Sequence, residues 1–519
     1  IFVIFGAILV VPFHLFVGAC CWMSVVFIPM AKLNKKAIEW SIRPLDIEIV
    51  TGYPGAGRDV VICTYKAANV YYYKYSVGGM NVMLVNLLPF VFLTLFIGYV
   101  LEPATGAQVP NLVKLPLSLF SIIPLTYYIG TAISSLSAQT DSFAAGAVLN
   151  ATFGSICELI IYCSAIYRRL VDLVQSGITG SLLGVMLLLP GLAMLIGGFK
   201  FKEQRFSRSA AGVSSVLLLL SIIAAFLPTL FFINYGANIL SCGNCTYYDP
   251  LSEGGESVGY DEYAADCGFC YTRRVDLLFD PVYDKAEHLS FASAFLMPIA
   301  YCVGLIFTLK THTHIYDLPE EEDEKGGHDA PEWSRPTCIV ILCTCTLLFA
   351  ALSEELLGSL EPILDEYGIP QSFAGLTIIA VIPNTAEIVN AVQFSMQGNF
   401  ALSLEIGSSA AVQISLIQIP ILFLFSVALH GSNPDCGSFT LVFPALDMLS
   451  VVFATLILSF IAFEGKSNYF TGAALLIVYA MLVATFWFEG VNSLDEETYG
   501  VMSQVRAFAE NAVEISPSC

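Results

Sequence analysis

Charged residues are scarce in this chain, and basic ones are the scarcest. Only 13% of the 519 residues are Asp, Glu, Lys or Arg, and 43 acidic residues outnumber 22 basic ones, which gives a formal net charge of −21. A nucleic-acid partner needs a basic surface to neutralise its phosphates, so this balance excludes nucleic-acid binding. The first residues, from Ile1 to Phe5, contain neither an initiator Met nor a basic stretch, so we expect no cleavable signal peptide there.

Apolar residues take the place of the missing charge. They make up 56% of the chain, with a mean hydropathy of +0.74, far above the values of soluble globular proteins. The long apolar runs do not alternate as the short strands of an outer-membrane barrel would. Since a membrane-spanning helix needs about 20 apolar residues, we predict an all-α polytopic membrane protein with about twelve spans, at 2–30, 82–101, 113–136, 142–166, 180–198, 211–233, 289–310, 336–357, 371–396, 401–430, 440–463 and 469–488.

The distribution of basic residues predicts the orientation in the membrane. The positive-inside rule places in the cytosol the segments that hold most of the 22 Lys and Arg residues, which are 32–81, 199–210, 311–335 and 464–468. The loop 234–288 and the tail after Glu489 then face a lumen or the exterior. We expect oxidising chemistry to act on that side.

Six cysteines fall on the predicted luminal side: Cys242, Cys245, Cys267, Cys270, Cys436 and Cys519. The first four form two CxxC pairs, a pattern that in a cytosolic protein is typical of a zinc site. Thiols persist poorly in an oxidising compartment, so we expect these four to form disulfides, with zinc as the alternative. The last two cysteines are candidates for a third bridge.

One short polar pattern occurs twice, each time inside an apolar segment. The copies, 146–161 and 375–390, contain Asn150, Thr152, Ser155 and Glu158 in the first and Asn384, Thr385 and Glu387 in the second. A carboxylate at mid-membrane depth is costly without partners or a wet cavity, so two of them in matching contexts predict a transport site. Two related halves that meet at the bilayer midplane are typical of secondary transporters.

The polar groups of the two repeats are those that bind hard cations. Such ions take carboxylate, amide, hydroxyl and carbonyl oxygens, and helix breaks at Gly154 and Pro383 would release backbone carbonyls. No Lys or Arg lies within either span to neutralise Glu158 or Glu387. Each carboxylate should therefore hold a proton until a cation displaces it, which is the chemistry of an antiporter. A purely structural role of the polar residues in helix packing is the alternative.

The segments Gly146 to Ile161 and Gly368 to Glu387 closely resemble the two signatures of the cation/proton exchanger family, within the Ca²⁺:cation antiporter superfamily. The resemblance spans 82–490 and implies the sodium/calcium exchanger fold, with two inverted five-helix repeats and two leading helices. The extra span 2–30 is similar to that of the fungal branch of low-affinity vacuolar monovalent cation/proton antiporters. This implies the vacuole or another acidic endomembrane compartment.

The resemblance also implies an order of segments and a set of ligands. Glu158 and Glu387 would be the shared cation and proton ligands, and Gln175 and Gln413 would flank the site. The implied segments are an extra transmembrane helix 1–31, a cytosolic segment 32–81, a leading helix 82–101, a first repeat 113–311, an acidic cytosolic linker 312–335, a second repeat 336–490 and a luminal tail 491–519. The expected partners are the lipid bilayer, inorganic cations and protons. We predict neither catalytic residues nor a cofactor.

Several departures from the calcium-transporting members bear on the transported ion. Those members usually have Asn where this chain has Ser155, and Gly where it has Pro383. At two further places where those members have polar residues, this chain has Gly184 with Val185 and the apolar run 410–412. Ca²⁺ takes about 6–8 oxygen ligands. The loss of oxygens therefore favours Na⁺ or K⁺.

Two alternatives remain open at this point. Glu405 precedes a Ser-Ser pair and is either a third titratable group at the site or a carboxylate at its entrance. If Glu405 supplies the missing oxygens, Ca²⁺ remains the substrate and the chain is a Ca²⁺/proton exchanger. The second alternative is that the protein is not a transporter but a membrane subunit that keeps the exchanger fold. Buried carboxylates without a transport role would, however, only reduce the stability of such a subunit.

Overall fold

A computed structural model of the chain describes residues 11–42, 72, 75–78, 80–106, 108–139, 154–248, 264–274, 282–312, 333–431 and 438–498. Within these ranges nine helices are long and apolar enough to cross a membrane: Val82–Thr105, Asn111–Ser137, Val171–Lys200, Ala211–Tyr235, Tyr283–Ile306, Arg335–Tyr367, Phe400–His430, Ala445–Glu464 and Tyr469–Glu489. The protein is therefore a helical, multi-pass membrane protein, as the sequence predicted.

Several of the long helices contain a π-helical segment or end in one. The α-helices are α1 Val11–Met23, α2 Ile28–Ile42, α3 Val82–Val85, α4 Leu88–Phe96, α5 Glu102–Thr105, α6 Asn111–Ala138, α7 Ile156–Tyr167, α8 Val171–Leu183, α9 Leu189–Lys200, α10 Arg208–Tyr235, α11 Tyr283–Ile306, α12 Arg335–Tyr367, α13 Gln371–Ala374, α14 Thr385–Gln397, α15 Phe400–Gln413, α16 Ile419–His430, α17 Ala445–Glu464 and α18 Tyr469–Thr498. The π-helices are Ile97–Leu101, Gly184–Leu188, Phe307–Thr311, Gly375–Ile379 and Ile414–Gln418. Short strands are β1 Ser76–Val77, β2 Met80–Asn81, β3 Gln204–Arg205, β4 Asn238–Tyr248, β5 Ala264–Arg274 and β6 Lys466–Ser467.

The chain divides into two compact units, of which the first comprises Ile1–Gln139 and Gly327–Leu360. At its start α1 and α2 pack together, and the described part of the predicted span 2–30 is not one helix. The chain turns between Met23 and Ile28, and Pro29 follows in the first turn of α2, where proline is tolerated. A part-buried hydrogen bond of 2.7 Å between His14 and Asn34 joins the two helices. Hydropathy alone did not distinguish one long helix from this pair.

An ion-paired group connects three helices of the same unit. Lys114 Nζ lies 3.0 Å from Glu102 Oε2 and 3.4 Å from Glu355 Oε2, and all three side chains are largely buried. Gly98 makes room for this group, because a Cβ there would lie 2.2 Å from the Glu355 carboxylate. Glu355 is thus an ion-pair partner of Lys114.

The second unit comprises Thr140–Gly326 and Glu361–Cys519. Its most deeply buried helix is α8, in which every residue from Leu173 to Leu183 is buried. Helix α8 begins at Val171, nine residues before the predicted span 180–198, so Gln175 and Thr179 lie within the helix. The predicted span 142–166 is described only from residue 154 onward.

The predicted span 371–396 is not one helix. A turn at Ile382, Pro383 and Asn384 separates the segment Gln371–Ile379 from α14. This break was expected, because proline lacks the N–H that would continue the helix and its ring crowds the preceding turn. In the first repeat α7 likewise begins directly after a turn at Gly154 and Ser155. Each repeat therefore contributes a helix that starts within the apolar part of the chain.

Two loops that the charge distribution assigned to the same side of the membrane meet in the structure. Strand β3 pairs with β6, so the loops 199–210 and 464–468 adjoin each other. Glu203 lies 3.0 Å from Lys466 and 3.4 Å from Arg205. The hydrogen bond from Lys466 holds the pKa of the exposed Glu203 carboxyl below its usual range. The pairing agrees with a common location of these two loops.

The cysteine-rich loop contains the antiparallel strands β4 and β5. Their register sets the Cα atom of Cys242 opposite Cys270 and that of Cys245 opposite Cys267. The side chains of these four residues, and all of Cys436 and Cys519, lie outside the part of the chain that the structure describes. Where cysteine side chains are described, all are free thiols. The predicted disulfides therefore have no structural support.

Candidate functional site

Glu158 and Glu387 occupy the same place in two short helices. Each is the third residue of its helix, α7 and α14 respectively, and Ser155 and Asn384 are the residues that directly precede these helices. The first N–H groups of a helix have no partner within it, and the helix dipole is positive at this end. Both carboxylates thus lie where the backbone stabilises an anion.

Both oxygens of Glu158 accept hydrogen bonds from neutral side chains. Ser181 Oγ donates to Oε1 over 2.8 Å, and Asn384 Nδ2 donates to the same oxygen. Gln418 Nε2 donates to Oε2 over 2.8 Å. Glu158 is 5% exposed, and its three donors come from α8, from the turn before α14 and from the π-helix Ile414–Gln418. Hydrogen-bond dipoles therefore stabilise this buried carboxylate without a formal positive charge.

Further contacts hold two of the donors in position. The fully buried Tyr162 hydroxyl lies 2.9 Å from Ser181 Oγ. A Cβ at Gly177 would approach the Tyr162 ring to 2.7 Å, so a glycine is needed beside it. Asn384 Nδ2 also donates to the Ala380 carbonyl over 2.8 Å. The donors of Glu158 are consequently oriented before any ligand binds.

Glu387 has a different environment. Its Oε2 is buried and has no hydrogen-bond partner among the described residues. The negative charges of Glu387 and Glu158 repel each other. A buried charge without a partner is unfavourable, so a proton or a cation is needed at Glu387.

The repeat itself explains why only Glu158 is surrounded by donors. The π-helices Gly184–Leu188 and Ile414–Gln418 have equal length, and a proline follows two residues after each of them. Matching them places Ala411 at the position of Ser181 and Leu188 at that of Gln418. Ser155 likewise matches Asn384. Two of the three donors of Glu158 thus have apolar residues at the matched positions of the other repeat.

The structure distributes the other predicted ligands over several places. Gln175 Nε2 donates to the carbonyls of Thr440 and Val442 over 3.3 and 3.0 Å, and Gln413 hydrogen-bonds the side chain of Tyr301. The Glu405 carboxylate accepts a hydrogen bond of 3.0 Å from Ser214. These contacts do not join Gln175, Gln413 or Glu405 to the two repeat carboxylates.

The remaining predicted ligands belong to the repeats. Thr385 donates its hydroxyl to the Ile382 carbonyl over 2.7 Å. Ser155 makes no side-chain cap to α7, and Asn150 and Thr152 lie outside the described residues. Of the predicted neutral ligands, the structure therefore joins only Asn384 to a repeat carboxylate. The ligand roles of the others stay predictions.

Sequence reasoning missed three residues of this site: Ser181, Gln418 and Tyr162. The donors Ser181 and Gln418 lie 23 and 260 residues from Glu158 in the chain. Their only sequence signal is that each is a polar residue in a buried, apolar helix segment. A second missed contact lies on α8, where Thr179 donates to the buried Asp447 over 2.7 Å. Within the described residues no group of three or more His, Cys, Asp or Glu side chains could hold a metal ion.

Comparison with known proteins identifies the family. The sequence pattern of the family described as sodium/calcium exchanger protein matches residues 111–310 and 337–488, which is more than half of the chain. The chain belongs to the sodium/calcium exchanger family. Its predicted fold class, a helical membrane protein with the two-repeat exchanger fold, is thereby confirmed.

Individual relatives are antiporters. The chain is 36% identical, over 93% of its length, to the low-affinity vacuolar monovalent cation/H⁺ antiporter of Saccharomyces cerevisiae, and it spans 54% of that protein. It is 29% identical, over 73% of its length, to the Ca²⁺/H⁺ antiporter ChaA of Bacillus subtilis, and spans 93% of it. The chain thus covers about half the length of the yeast relative and nearly all of the bacterial one.

Solved structures show the same fold. The crystal structure of the Ca²⁺/H⁺ antiporter protein YfkE matches with a TM-score of 0.57 and 25% identity, covering 79% of this chain and 100% of that one. The crystal structure of the H⁺/Ca²⁺ exchanger CAX matches with a TM-score of 0.52 and 16% identity, covering 82% and 96%. The second likeness concerns the fold alone.

Proposed function

We propose that this protein is a secondary-active antiporter that exchanges a cation for protons at the site of Glu158 and Glu387. The observation that carries the proposal is the placement of two carboxylates, the buried Glu158 and Glu387 with its buried Oε2, at the starts of two helices that each follow a turn, with neutral hydrogen-bond donors around Glu158. Discontinuous helices with such termini at the repeat interface are typical of ion sites in secondary transporters. The antiporter relatives support the same function.

Competition for the two carboxylates couples the fluxes. When Na⁺ or K⁺ occupies the site, oxygens of Glu158 and Glu387 bind it; its single charge offsets one carboxylate and the other carboxyl keeps a proton, whereas Ca²⁺ would offset both. When the cation leaves, the unpartnered Glu387 oxygen needs another neutralising group, and a proton supplies it. A carrier that changes its access from one side to the other only with the site occupied then exchanges cation for protons.

We propose Na⁺ or K⁺ as the transported cation. The similarity to a monovalent cation antiporter supports this choice. The position of Glu405 supports it too, because its hydrogen bond to Ser214 directs it to α10 and away from the role of a third carboxylate ligand. Ca²⁺ is the second candidate, since Ser181 and Gln418 provide oxygens that the sequence did not reveal and other relatives are Ca²⁺/H⁺ antiporters.

We also propose that the protein acts in the vacuolar membrane or another acidic endomembrane. Named relatives of this chain include vacuolar exchangers from yeast and plant. An acidic lumen would supply the proton gradient that drives cation uptake. Fluorescence microscopy of the tagged full-length protein with a vacuolar marker tests this, and a plasma-membrane signal would contradict it.

Reconstituted vesicles with an imposed pH gradient test the function. The purified wild-type protein should release protons from the vesicles when Na⁺ or K⁺ is added outside, at millimolar concentration. Absence of flux with Na⁺, K⁺ and Ca²⁺ alike would contradict antiport and favour a non-transporting subunit. A preference for micromolar Ca²⁺ would overturn the monovalent assignment. Loss of that Ca²⁺ preference in Glu405→Ala would show that Glu405 supplies the missing oxygens.

A further inference from the structure

Gln418 has a buried oxygen that no hydrogen bond of the protein accounts for. The residue is 1% exposed, and its Oε1 has no partner in the part of the chain that the structure describes. Nearly all buried polar atoms in proteins are hydrogen-bonded, so an unpaired amide oxygen in a helical core calls for a ligand. Gln418 lies at the end of the π-helix Ile414–Gln418, and such segments occur frequently at functional sites.

The contact with Glu158 fixes the direction of this amide. A carboxylate oxygen only accepts, so the group 2.8 Å from Glu158 Oε2 must be the Gln418 NH₂. The amide oxygen is then about 2.2 Å from that nitrogen by covalent geometry, and at most about 5 Å from Glu158 Oε2. Two oxygens at that separation can bind one cation with contacts of about 2.3–2.6 Å each.

We propose that Gln418 is a direct ligand of the transported cation, binding through Oε1 while its NH₂ orients Glu158. This inference rests on the proposed antiport function. A neutral oxygen adds to the coordination of the ion without the negative charge that a carboxylate would add, and added negative charge favours a divalent ion. The first repeat has Leu188 at the matching position, so this ligand comes from one repeat only.

Gln413 does not take this role in the structure. It lies five residues earlier in the same membrane helix and hydrogen-bonds Tyr301 instead. Gln175 also has partners for its NH₂ group in the carbonyls of Thr440 and Val442. Among these three glutamines, only Gln418 donates to a repeat carboxylate.

Substitution with Met tests the ligand role. Gln418→Met keeps the length of the side chain and removes both amide atoms. We expect its apparent Kd for Na⁺ and K⁺ to rise at least about tenfold, measured on the purified protein by calorimetry and by cation-dependent thermal stabilisation. The matched control is Ser415→Ala, because the buried Ser415 hydroxyl in the same π-helix bonds only the Ala411 carbonyl of its own helix. Wild-type affinity in Gln418→Met would overturn the proposal.

Substitution with Glu tests the effect on ion choice. Gln418→Glu keeps an oxygen ligand and adds a charge, so it should still bind cations and should favour Ca²⁺ over K⁺ at least about tenfold more than the wild type does. An unchanged preference would overturn the proposal, even if the Met variant did not fold. If wild-type vesicles show no cation-dependent proton flux, the proposed antiport function fails. If they do and Gln418→Met binds cations normally, only the role of Gln418 fails.

Discussion

Glu158 and Glu387 have the same backbone setting and different side-chain surroundings. Both are third residues of helices that start after a turn. Glu158 accepts hydrogen bonds on both oxygens, whereas Oε2 of Glu387 has no partner among the described residues. The inverted repeat therefore conserves the position of the two carboxylates and not their hydrogen bonding. The difference indicates that Glu158 is the preformed half of the site and that Glu387 depends on the ligand.

The contrast arises at two matched positions. Ser181 and Gln418 in one environment correspond to Ala411 and Leu188 in the other. An apolar side chain cannot donate, so the matching packing around Glu387 leaves its oxygen for a proton or a cation. These substitutions alone are enough to give the two carboxylates different roles.

The largest expected effect is the loss of exchange in Glu158→Gln and in Glu387→Gln. Each change removes one negative ligand of the buried cation while keeping the size of the side chain. We expect the cation-dependent proton flux in vesicles to fall at least ~100-fold in both variants, because breaking a buried charge pair costs several kcal/mol. Near-normal flux in either variant would end the two-carboxylate mechanism.

The same two variants should differ in stability. In Glu158→Gln an NH₂ group replaces one acceptor and meets the donors Ser181, Asn384 or Gln418, so we expect a loss of about 1–3 kcal/mol. In Glu387→Gln a neutral amide replaces a carboxylate whose buried Oε2 has no partner among the described residues, and we expect no loss, or a gain. Thermal unfolding of both proteins in the same cation-free detergent buffer checks this. Equal destabilisation would show that the two environments are equivalent.

A smaller effect should separate the matched residues Asn384 and Ser155. Asn384→Ala removes a hydrogen bond to the Glu158 carboxylate, and we expect about a tenfold weaker cation affinity, in line with the ~1.5–3 kcal/mol of a hydrogen bond to a charged group. Ser155→Ala should change the affinity less than about twofold, because the Ser155 side chain makes no capping hydrogen bond that the substitution would remove. Calorimetry on both variants is the measurement. Equal losses would place Ser155 at the site as well.

The smallest expected effect comes from making the second environment resemble the first. Ser155→Asn places an asparagine before α7, at the position that Asn384 occupies before α14. The added amide oxygen should raise the affinity for Ca²⁺ relative to K⁺ by about threefold. Competition between the two ions in the vesicle assay measures this ratio. A shift toward K⁺ would contradict the assignment of matched positions.

The sequence predicted the elements that depend on local chemistry. Proline at 383 predicted the break that positions Glu387, and the turn at Ile382 to Asn384 follows from it. The pairing of β3 with β6 agrees with loop assignments made from charge. The first conclusion needed only residues that are near each other in the chain. The second needed only a rule that applies to whole loops.

Contacts between distant segments could not be predicted in the same way. Gln418 reaches Glu158 across 260 residues, and nothing in its local sequence separates it from Gln413, which hydrogen-bonds Tyr301 instead. The turn that follows Met23 was missed because apolar residues continue on both sides of it, and hydropathy does not record where a helix reverses. Tertiary packing decides both cases.

Proton release on cation binding tests the central claim most directly, namely that one site holds either a cation or protons. A weakly buffered solution of the purified wild-type protein, without a membrane gradient, should acidify when saturating K⁺ or Na⁺ is added. The same addition to Glu387→Gln should release no protons. Cation binding detected by calorimetry in the wild type without any proton release would contradict a shared site, and with it this account of the antiport.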